Sequence, residues 1–570
     1  MRNRFGAAVV FLFSAGAFAQ TPPLTLVAYS GQQVPGAPPN VQFWQGGMDS
    51  IIVGGNGDVA FLATVGGYQG TYVWRGGVLS PLAVIDQPMP GPGGTTVSGQ
   101  MMAVPIAMNG HGDVLVNAMA EIDSNVYPAV WTLGPSGNAL RFLGGDPLPG
   151  VNGRAFAGWN LDGPSFPIVR RMTDDRAFAF VATVAPASIG QETINRAAFF
   201  STPGGAEFRA SAGVSGAHFT TSASVSGFND EGDVLVYGVR VGRPQPQHCL
   251  ADEDGVHELL PPGVPAPGFP GANISSHGAG AVGAGGLCAV TATMTPSTPT
   301  AAALWLGTPG DMQPVLTEQQ VLTPTAGQPL QVRMLALQSS HRLFVTEDGA
   351  VLATVQLTPM QGGTGGPSLG IVRCKPGEPP RVVFDSREGP RNIPGATFSP
   401  FAQTVYAVPG VERIAFTTNL FQPGQPTRTA LVTQDEHGAP YAVIVGGSVA
   451  NGPGVVTKML PMNLNFFGGQ FGPLVSMTDS GHIAVRHQFT DNSTGVITAS
   501  VVPPPCGDLD FNNDGLYPDN TDLTDFLAVF GGADCPTHRC DTIDFNRDGL
   551  FPDNADISAL FSVFGGGPCE

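Results

Sequence analysis

The sequence predicts a mainly β body of about eight tandem repeats, followed by a small α-helical module. Three observations carry that prediction. A strand, a tight turn and a second strand recur eight times from Ile51 to His487, and repetition at a period of this length marks an array of similar units. Within the copies, apolar and polar residues alternate with period two between clusters of Gly, Pro, Asn and Asp, the pattern of half-buried strands joined by hairpins. From Cys506 to Glu570 a different unit is written twice at a constant offset of 34 residues, and its apolar residues change to helical spacing.

The chain opens with Met1-Arg2-Asn3-Arg4, an apolar run from Phe5 to Phe18, and the small-x-small triplet Ala17-Phe18-Ala19. These are the three regions of a secretory signal peptide, residues 1–19, with cleavage expected before Gln20. No later stretch has the roughly 18 to 20 uninterrupted apolar residues that span a bilayer. An exported protein is therefore expected, secreted or held at the cell surface by a partner and without a transmembrane segment. Net charge is −19, yet only 12% of residues are charged. Phosphate backbones need a basic patch, so nucleic acid is not an expected partner. Gly and Pro make up more than a fifth of the chain, a content that can mark disorder. Here they fall at regular intervals between apolar strands and read as turns.

The body is expected over residues 20–502. Its clearest copies are IIVGGNGDVAFLA from Ile51, IAMNGHGDVLVNA from Ile106 and SGFNDEGDVLVYG from Ser226. The first strand residue after each turn is read as Val59, Val114, Ala177, Val234, Cys288, Val351, Ile414 and Ile483, at spacings of 54 to 69 residues. A second strand such as TYVWRGG or AALWLG follows many copies, then a third ending in a Pro and Gly turn, and a looser stretch with room for a fourth. Four strands in about 60 residues fit one blade of a β-propeller; an immunoglobulin-like unit needs roughly 100.

The eighth repeat runs into the tail with its third strand missing, and LTLVAYSGQQVPG, Leu24 to Gly36, has the third-strand pattern with no first or second strand before it. An eight-bladed propeller closed by this N-terminal strand is the expectation, with seven blades or an open repeat array as alternatives. The repeats resemble propeller-like regions of exported proteins from planctomycete-type bacteria, a resemblance that implies no particular activity.

No catalytic residue and no organic cofactor is assigned to the body. Asp58, Asp113 and Asp233 recur in the turns, but Arg176, Leu287, Ala350, Arg413 and His482 stand at the places read as equivalent, so turn chemistry is preferred to a shared metal role. His482 and His487 are five apart on a strand and face opposite ways, no His cluster has zinc spacing, and no nucleophile elbow is expected. Asp252, Glu253 and Asp254 read as a hairpin tip. Trp74, Trp131 and Trp305 share one second-strand position and are expected to pack between repeats, whereas Trp44 and Trp159 are candidates for a ligand-facing surface. Of the cysteines, Cys249, Cys288 and Cys374 are scattered, so at least one remains an unpaired core thiol.

In the tail, DFNNDG and DFNRDG set oxygen-bearing side chains at loop positions 1, 3 and 5 with glycine at 6. Calcium takes six to eight oxygens, and the glycine allows the chain to turn around the ion. The expected ligands are Asp510, Asn512 and Asp514 with the carbonyl of Leu516, and Asp544, Asn546 and Asp548 with that of Leu550. Asp522 and Asp556 are expected to close the two sites, Asp519 and Asp553 being the fallback. Leu523, Phe526, Leu527 and Phe530, then Ile557, Leu560, Phe561 and Phe564, give each loop a following amphipathic helix, stopped by Gly531-Gly532 and Gly565-Gly566. Cys506, Cys535, Cys540 and Cys569 are expected to form two disulfides. Three pairings respect the internal symmetry, and Cys506 with Cys569 and Cys535 with Cys540 would clasp the ends of the module.

These residues resemble the dockerin family, duplicated calcium-loop modules of cell-surface and cellulosome proteins, and most of all its cysteine-flanked planctomycete-type form. By that resemblance residues 506–570 bind two calcium ions and dock onto a cohesin-like or other surface receptor. Counted back from the closing Asp, the receptor-reading positions correspond to Asn520, Thr521, Asn554 and Ala555. The family places its closing acid at loop position 12; here it stands at 13 in both copies. The functional expectation is an exported, surface-associated propeller that binds a ligand or serves as a scaffold. The alternatives are a carbohydrate-active hydrolase or lyase acting on polysaccharide and delivered by its dockerin, or a structural envelope component.

Overall fold

A computed structural model describes residues 24–500, save for short internal stretches of which the longest are 160–171, 187–194, 334–342 and 462–474; beyond 500 it describes residues 511, 520–533, 545 and 554–564. The body, residues 22–390 and 396–502, is one compact unit, and residues 503–570 belong to a second.

The body is mainly strand. Among the described residues seven sheets follow one another in chain order. The first has strands Phe43–Val53, Val59–Val65, Tyr68–Arg75 and Val78–Ala83, each antiparallel to the next. A sheet of eight strands, from Arg154–Trp159 to Val256–Glu258, consists of two four-stranded parts joined by the single parallel pair Ala212 and Phe219. In the last sheet the N-terminal strand Leu24–Tyr29 lies antiparallel to Thr494–Ser500, with Leu26 opposite Ile497 and Tyr29 opposite Gly495. It thus continues the hairpin of His482–Gln488 and Thr494–Ser500.

A short loop precedes Val59–Val65 and its counterparts in the other units. In seven copies the N–H of its first residue donates to the carbonyl four residues on, at Gly54, Asn109, Thr173, Asn229, Gly283, Thr346 and Thr478. Where that residue is Asn or Thr, its side-chain oxygen accepts the incoming N–H: Asn109 from Asp113 at 2.8 Å, Thr173 from Ala177 at 2.8 Å, Asn229 from Asp233 at 2.8 Å, Thr346 from Ala350 at 3.1 Å and Thr478 from His482 at 3.1 Å. Asn and Thr favour such loops because their short side chains reach backbone groups close by. The fourth loop position needs a left-handed backbone, φ of +83° at Gly57 and +82° at Gly112, which glycine adopts without strain.

This hydrogen-bond register corrects one sequence alignment. Arg176, with φ of +67°, occupies the glycine position, and Ala177 stands where Asp58 and Asp113 do. The strand accordingly begins at Phe178. The loop of the seventh repeat, 408–413, lies outside the described residues.

The core lies between successive sheets, because each buries both faces. Trp131 packs with Ile52, Ala60 and Val73 of the preceding sheet, Phe142 with Phe178 and Phe180 of the following one, and Trp305 with Leu235 and Leu250. The last sheet packs on the first: Val27, Ala28, Ala484 and Val496 share a cluster with Phe43, Val59 and Phe61. Trp131 and Trp305 are fully buried, and their indole N–H groups donate to the carbonyls of Pro90 at 2.8 Å and Pro267 at 3.1 Å, so a large ring enters the core with its polar atom satisfied. Cys249, Cys288 and Cys374 are free and buried.

In the second unit, helix α1 spans Asn520–Phe530 and helix α2 Asn554–Phe564, 34 residues apart as the duplication requires. Phe511, Phe526, Phe545 and Leu560 form their shared core, with Leu523, Phe530, Ile557 and Phe564 against it. The buried stripe is narrower than the sequence suggests. Leu527 and Phe561, at equivalent positions of the two helices, are 43% and 49% exposed.

Candidate functional site

Several charged groups of the body lie at the loops described above, where they tie one unit to the next. The Arg75 guanidinium reaches from the first sheet to the Asp58 carboxylate at 3.1 Å and to the carbonyl of Gly112, at the tip of the next loop. Arg141 donates to the carbonyl of Arg176 at 3.2 Å and to Ser201 Oγ at 2.9 Å, with its guanidinium 5.1 Å from the Phe178 ring centre. Arg209 donates to the carbonyl of Gly232 at 2.9 Å. Each arginine thus leaves one unit and ends on the loop of the next.

Asp113 is completely buried and is held bidentately by Arg176 at 2.9 and 3.0 Å, with the Ser136 N–H at 3.0 Å. Burial alone would raise its pKa, but the hydrogen bonds from Arg176 and Ser136 outweigh it and hold the carboxyl well below the usual range. Asp58 and Asp113 are therefore turn and interface groups. At the end of the series the imidazole of His482 approaches Gly57 so closely that a Cβ there would come within 3.0 Å of it.

Histidines deeper in the body are built to stay neutral. His277 Nε2 donates to the Leu260 carbonyl at 2.6 Å, and its Nδ1 accepts the backbone N–H of His248 at 3.0 Å. The two rings stack 5.6 Å apart, and burial lowers both pKa values, the neighbouring imidazole adding to the effect at His248. Asp252 caps its own hairpin tip, accepting from the N–H of Asp254 and Gly255 at 2.9 and 3.0 Å and lying 3.1 Å from His257 Nε2. The string Gly366-Pro367-Ser368-Leu369-Gly370 does spell G-x-S-x-G, which the expectation of no nucleophile elbow overlooked. Ser368 opens a strand, is 1% exposed and contacts the Leu357 carbonyl at 3.5 Å, so its hydroxyl is not presented at a strand-to-helix turn.

Among the tryptophans, Trp44 stands apart at 66% exposure. It lies where the first strand bulges, between Phe43 opposite Val65 and Met48 opposite Ala63. The side chain of Trp159 falls outside the described residues.

In the second unit the closing acids are described: Asp522 is 2% exposed and Asp556 fully buried, each in the first turn of its helix. A carboxylate leaves water at such positions only with compensation, which a helix N-terminus supplies in part. Asp510, Asn512, Asp514, Leu516, Asp544, Asn546, Asp548 and Leu550 lie outside the described residues, as do Asp519, Asp553, Cys506, Cys535, Cys540 and Cys569. Among the described residues no group of three or more His, Cys, Asp or Glu could hold a metal, and no helix is long and apolar enough to cross a membrane. Asn520 and Thr521 are exposed at the start of α1.

The sequence model of a family of unknown function, DUF7453, matches residues 14–301 and, overlapping them, 210–508. The chain belongs to that family. That one model fits twice along the body accords with its repetition. No curated protein matches the chain. Among solved structures, an alpha-L-arabinanase of Penicillium chrysogenum complexed with arabinobiose is 11% identical, over 57% of this chain and 90% of that one, with a TM-score of 0.23. Polysaccharide lyase Uly1 is 12% identical, over 84% of this chain and 99% of that one, with a TM-score of 0.29. Likenesses this loose leave the functional argument to the geometry of the chain itself.

Proposed function

We propose that the body is an eight-bladed β-propeller serving as a binding platform or scaffold, exported through residues 1–19 and held at a surface by a dockerin-like, calcium-binding module at 506–570. Each four-stranded unit is one blade, and Leu24–Tyr29 completes the last. The observation that supports a platform over an enzyme is the engagement of the charged groups: Arg75, Arg141, Arg176 and Arg209, with Asp58 and Asp113, each bind the neighbouring loop or strand. Acid and base catalysts need carboxylates or histidines poised to exchange protons at an accessible site, whereas these hold the array together.

In the module, two calcium ions would be held by Asp510, Asn512, Asp514, Leu516 and Asp522, and by Asp544, Asn546, Asp548, Leu550 and Asp556, with a cohesin-like or other surface receptor as partner. The buried first-turn acids Asp522 and Asp556 support this reading. Titration calorimetry of the full chain is expected to give about two calcium ions, and Asp522→Ala and Asp556→Ala about one each. An absence of heat, together with a melting temperature indifferent to chelator, overturns the metal assignment.

A carbohydrate-active enzyme delivered by the same module is the second reading, favoured by the solvent-facing indole of Trp44. Release of reducing or unsaturated ends from a polysaccharide panel would establish it and overturn the platform reading.

A further inference from the structure

We propose that the surface around Trp44 is a binding site for a neutral polysaccharide chain, recognised by stacking on the indole and by the amide side chains around it. The assignment deepens the platform reading and rests on it.

An indole at two-thirds exposure needs a reason, because burying it would gain about 25 cal/mol per Å² of apolar area, and the other buried tryptophans of this chain do so. The bulge prevents it. Phe43 just before Trp44 and Met48 just after are 2% and 0% exposed, with the Phe43 ring edge-on to Tyr72 at 5.0 Å. The backbone of Phe43 is fixed on both sides, its N–H donating to the Gln32 carbonyl at 3.1 Å and its carbonyl accepting from Gly31 at 2.9 Å. On the far side, Gln45 Nε2 donates to the Asn492 carbonyl at 2.8 Å, across to the hairpin turn of the last sheet. Residues 44–47 are thus pinned at both ends, and the indole is held out where the first sheet, the N-terminal strand and the last sheet meet.

The surroundings select the ligand. Six amide residues stand on the segments that converge here. Gln33 spends its amide on its own turn, on the carbonyls of Ala37 and Pro38 and the Asn40 N–H, while Gln32 Oε1 and Gln45 Nε2 hold the Tyr29 N–H and the Asn492 carbonyl; among the described residues no hydrogen bond engages the side chains of Asn40, Gln42 and Asn492. The two charges on the same turns neutralise one another: Lys458 Nζ lies 2.5 Å from Asp491 Oδ2 and 4.8 Å from the Tyr29 ring centre. A pyranose ring presents C–H groups on its face and hydroxyls around its edge. An aromatic face takes the former, and amides, each both donor and acceptor, take vicinal hydroxyls. A polyanion would need free cations, which this surface does not offer.

The test is affinity electrophoresis of the full chain, calcium present, through gels carrying a soluble β-glucan, xylan, galactomannan or arabinan, with polygalacturonate as the acidic control. At least one neutral gel is expected to retard the protein. Trp44→Ala should weaken that binding about tenfold or more, and Trp44→Phe should fall between. Val78→Ala, at an equally exposed valine, should bind as wild type, and all variants should keep the wild-type melting temperature. Unchanged retardation of Trp44→Ala overturns the site and leaves the platform reading standing. Retardation in no neutral gel, or only in the acidic one, overturns the neutral-polysaccharide assignment. Trp44-dependent retardation with turnover of the same polymer keeps the site and overturns the platform.

Discussion

His248 and His277 show how single residues set the response of the body to acid. Both nitrogens of His277 are engaged, and a proton on Nδ1 would break the bond from the His248 N–H. Nδ1 of His248 has no partner among the described residues, and Gly280 lies so close to its ring that a Cβ there would come within 2.6 Å. Tyr237 packs on the other side at 4.8 Å. Charging either ring therefore places a cation where water cannot reach it. The folded pKa values are lowered, so below the ordinary histidine value near 6.5 the unfolded chain binds protons that the folded chain refuses. The contribution is complete above about pH 6.5 and is lost as pH falls from there. Thermal melts between pH 7.5 and 5 should show a falling melting temperature, and His248→Phe should flatten that fall. A His248→Phe slope equal to wild type would show that other groups control it. The periodicity of the sequence announced neither histidine, since 29 residues separate them and only the packing of two adjacent sheets brings their rings together.

Elements were legible where their period was strong. The strands after the loops begin at Val59, Val114, Val234, Cys288, Val351 and Ile414, as alternation places them, and the two helices start 34 residues apart. The sequence reading weighted the Gly-Asp end of each loop. More consistent than the aspartate is the Asn or Thr that opens five of the loops, five residues before the strand at Asn109, Thr173, Asn229 and Thr346 and four before it at Thr478, a signal present in the sequence and recognisable once the loop hydrogen bonds are known. Width of the helical stripe was harder to see, because a helix with a single small partner buries fewer positions than one against a large core. Phe526→Ala should cost the module about 3 kcal/mol or more, whereas Leu527→Ala, at an exposed position, should stay within about 0.5 kcal/mol. Chemical denaturation of the chain in calcium-containing buffer, followed through protection of the module from protease, measures both. Equal losses would mean that Leu527 is covered in solution.

At the scale of the whole body, stability depends on a contact between its first and last strands. Leu24, Leu26, Val27 and Ala28 are at most 3% exposed and divide between the two clusters flanking the last sheet. Removing Leu24–Tyr29 opens both clusters and leaves the backbone groups of Thr494–Ser500 unpaired along one edge, a route to aggregation as well as instability. Loss on the order of 5 kcal/mol or more is expected, a large fraction of the stability of a typical domain, read as a lower melting temperature and faster proteolysis. Should the truncated chain melt like wild type, the terminal strand would have no part in holding the body together.

The sequence by itself determined the strand content, the repeat, the duplicated helices and the residues proposed to bind calcium, because each is written in local spacing: two for a strand, 3.6 for a helix, alternate positions for a metal loop. Tertiary structure alone decided that Arg176 binds Asp113 from the next unit, that His248 meets His277, and that Gln45, the neighbour of Trp44, bonds Asn492 across 447 positions of chain. Such contacts arise when separate sheets stack face to face. The distance between their partners along the chain leaves no trace in the sequence around either one.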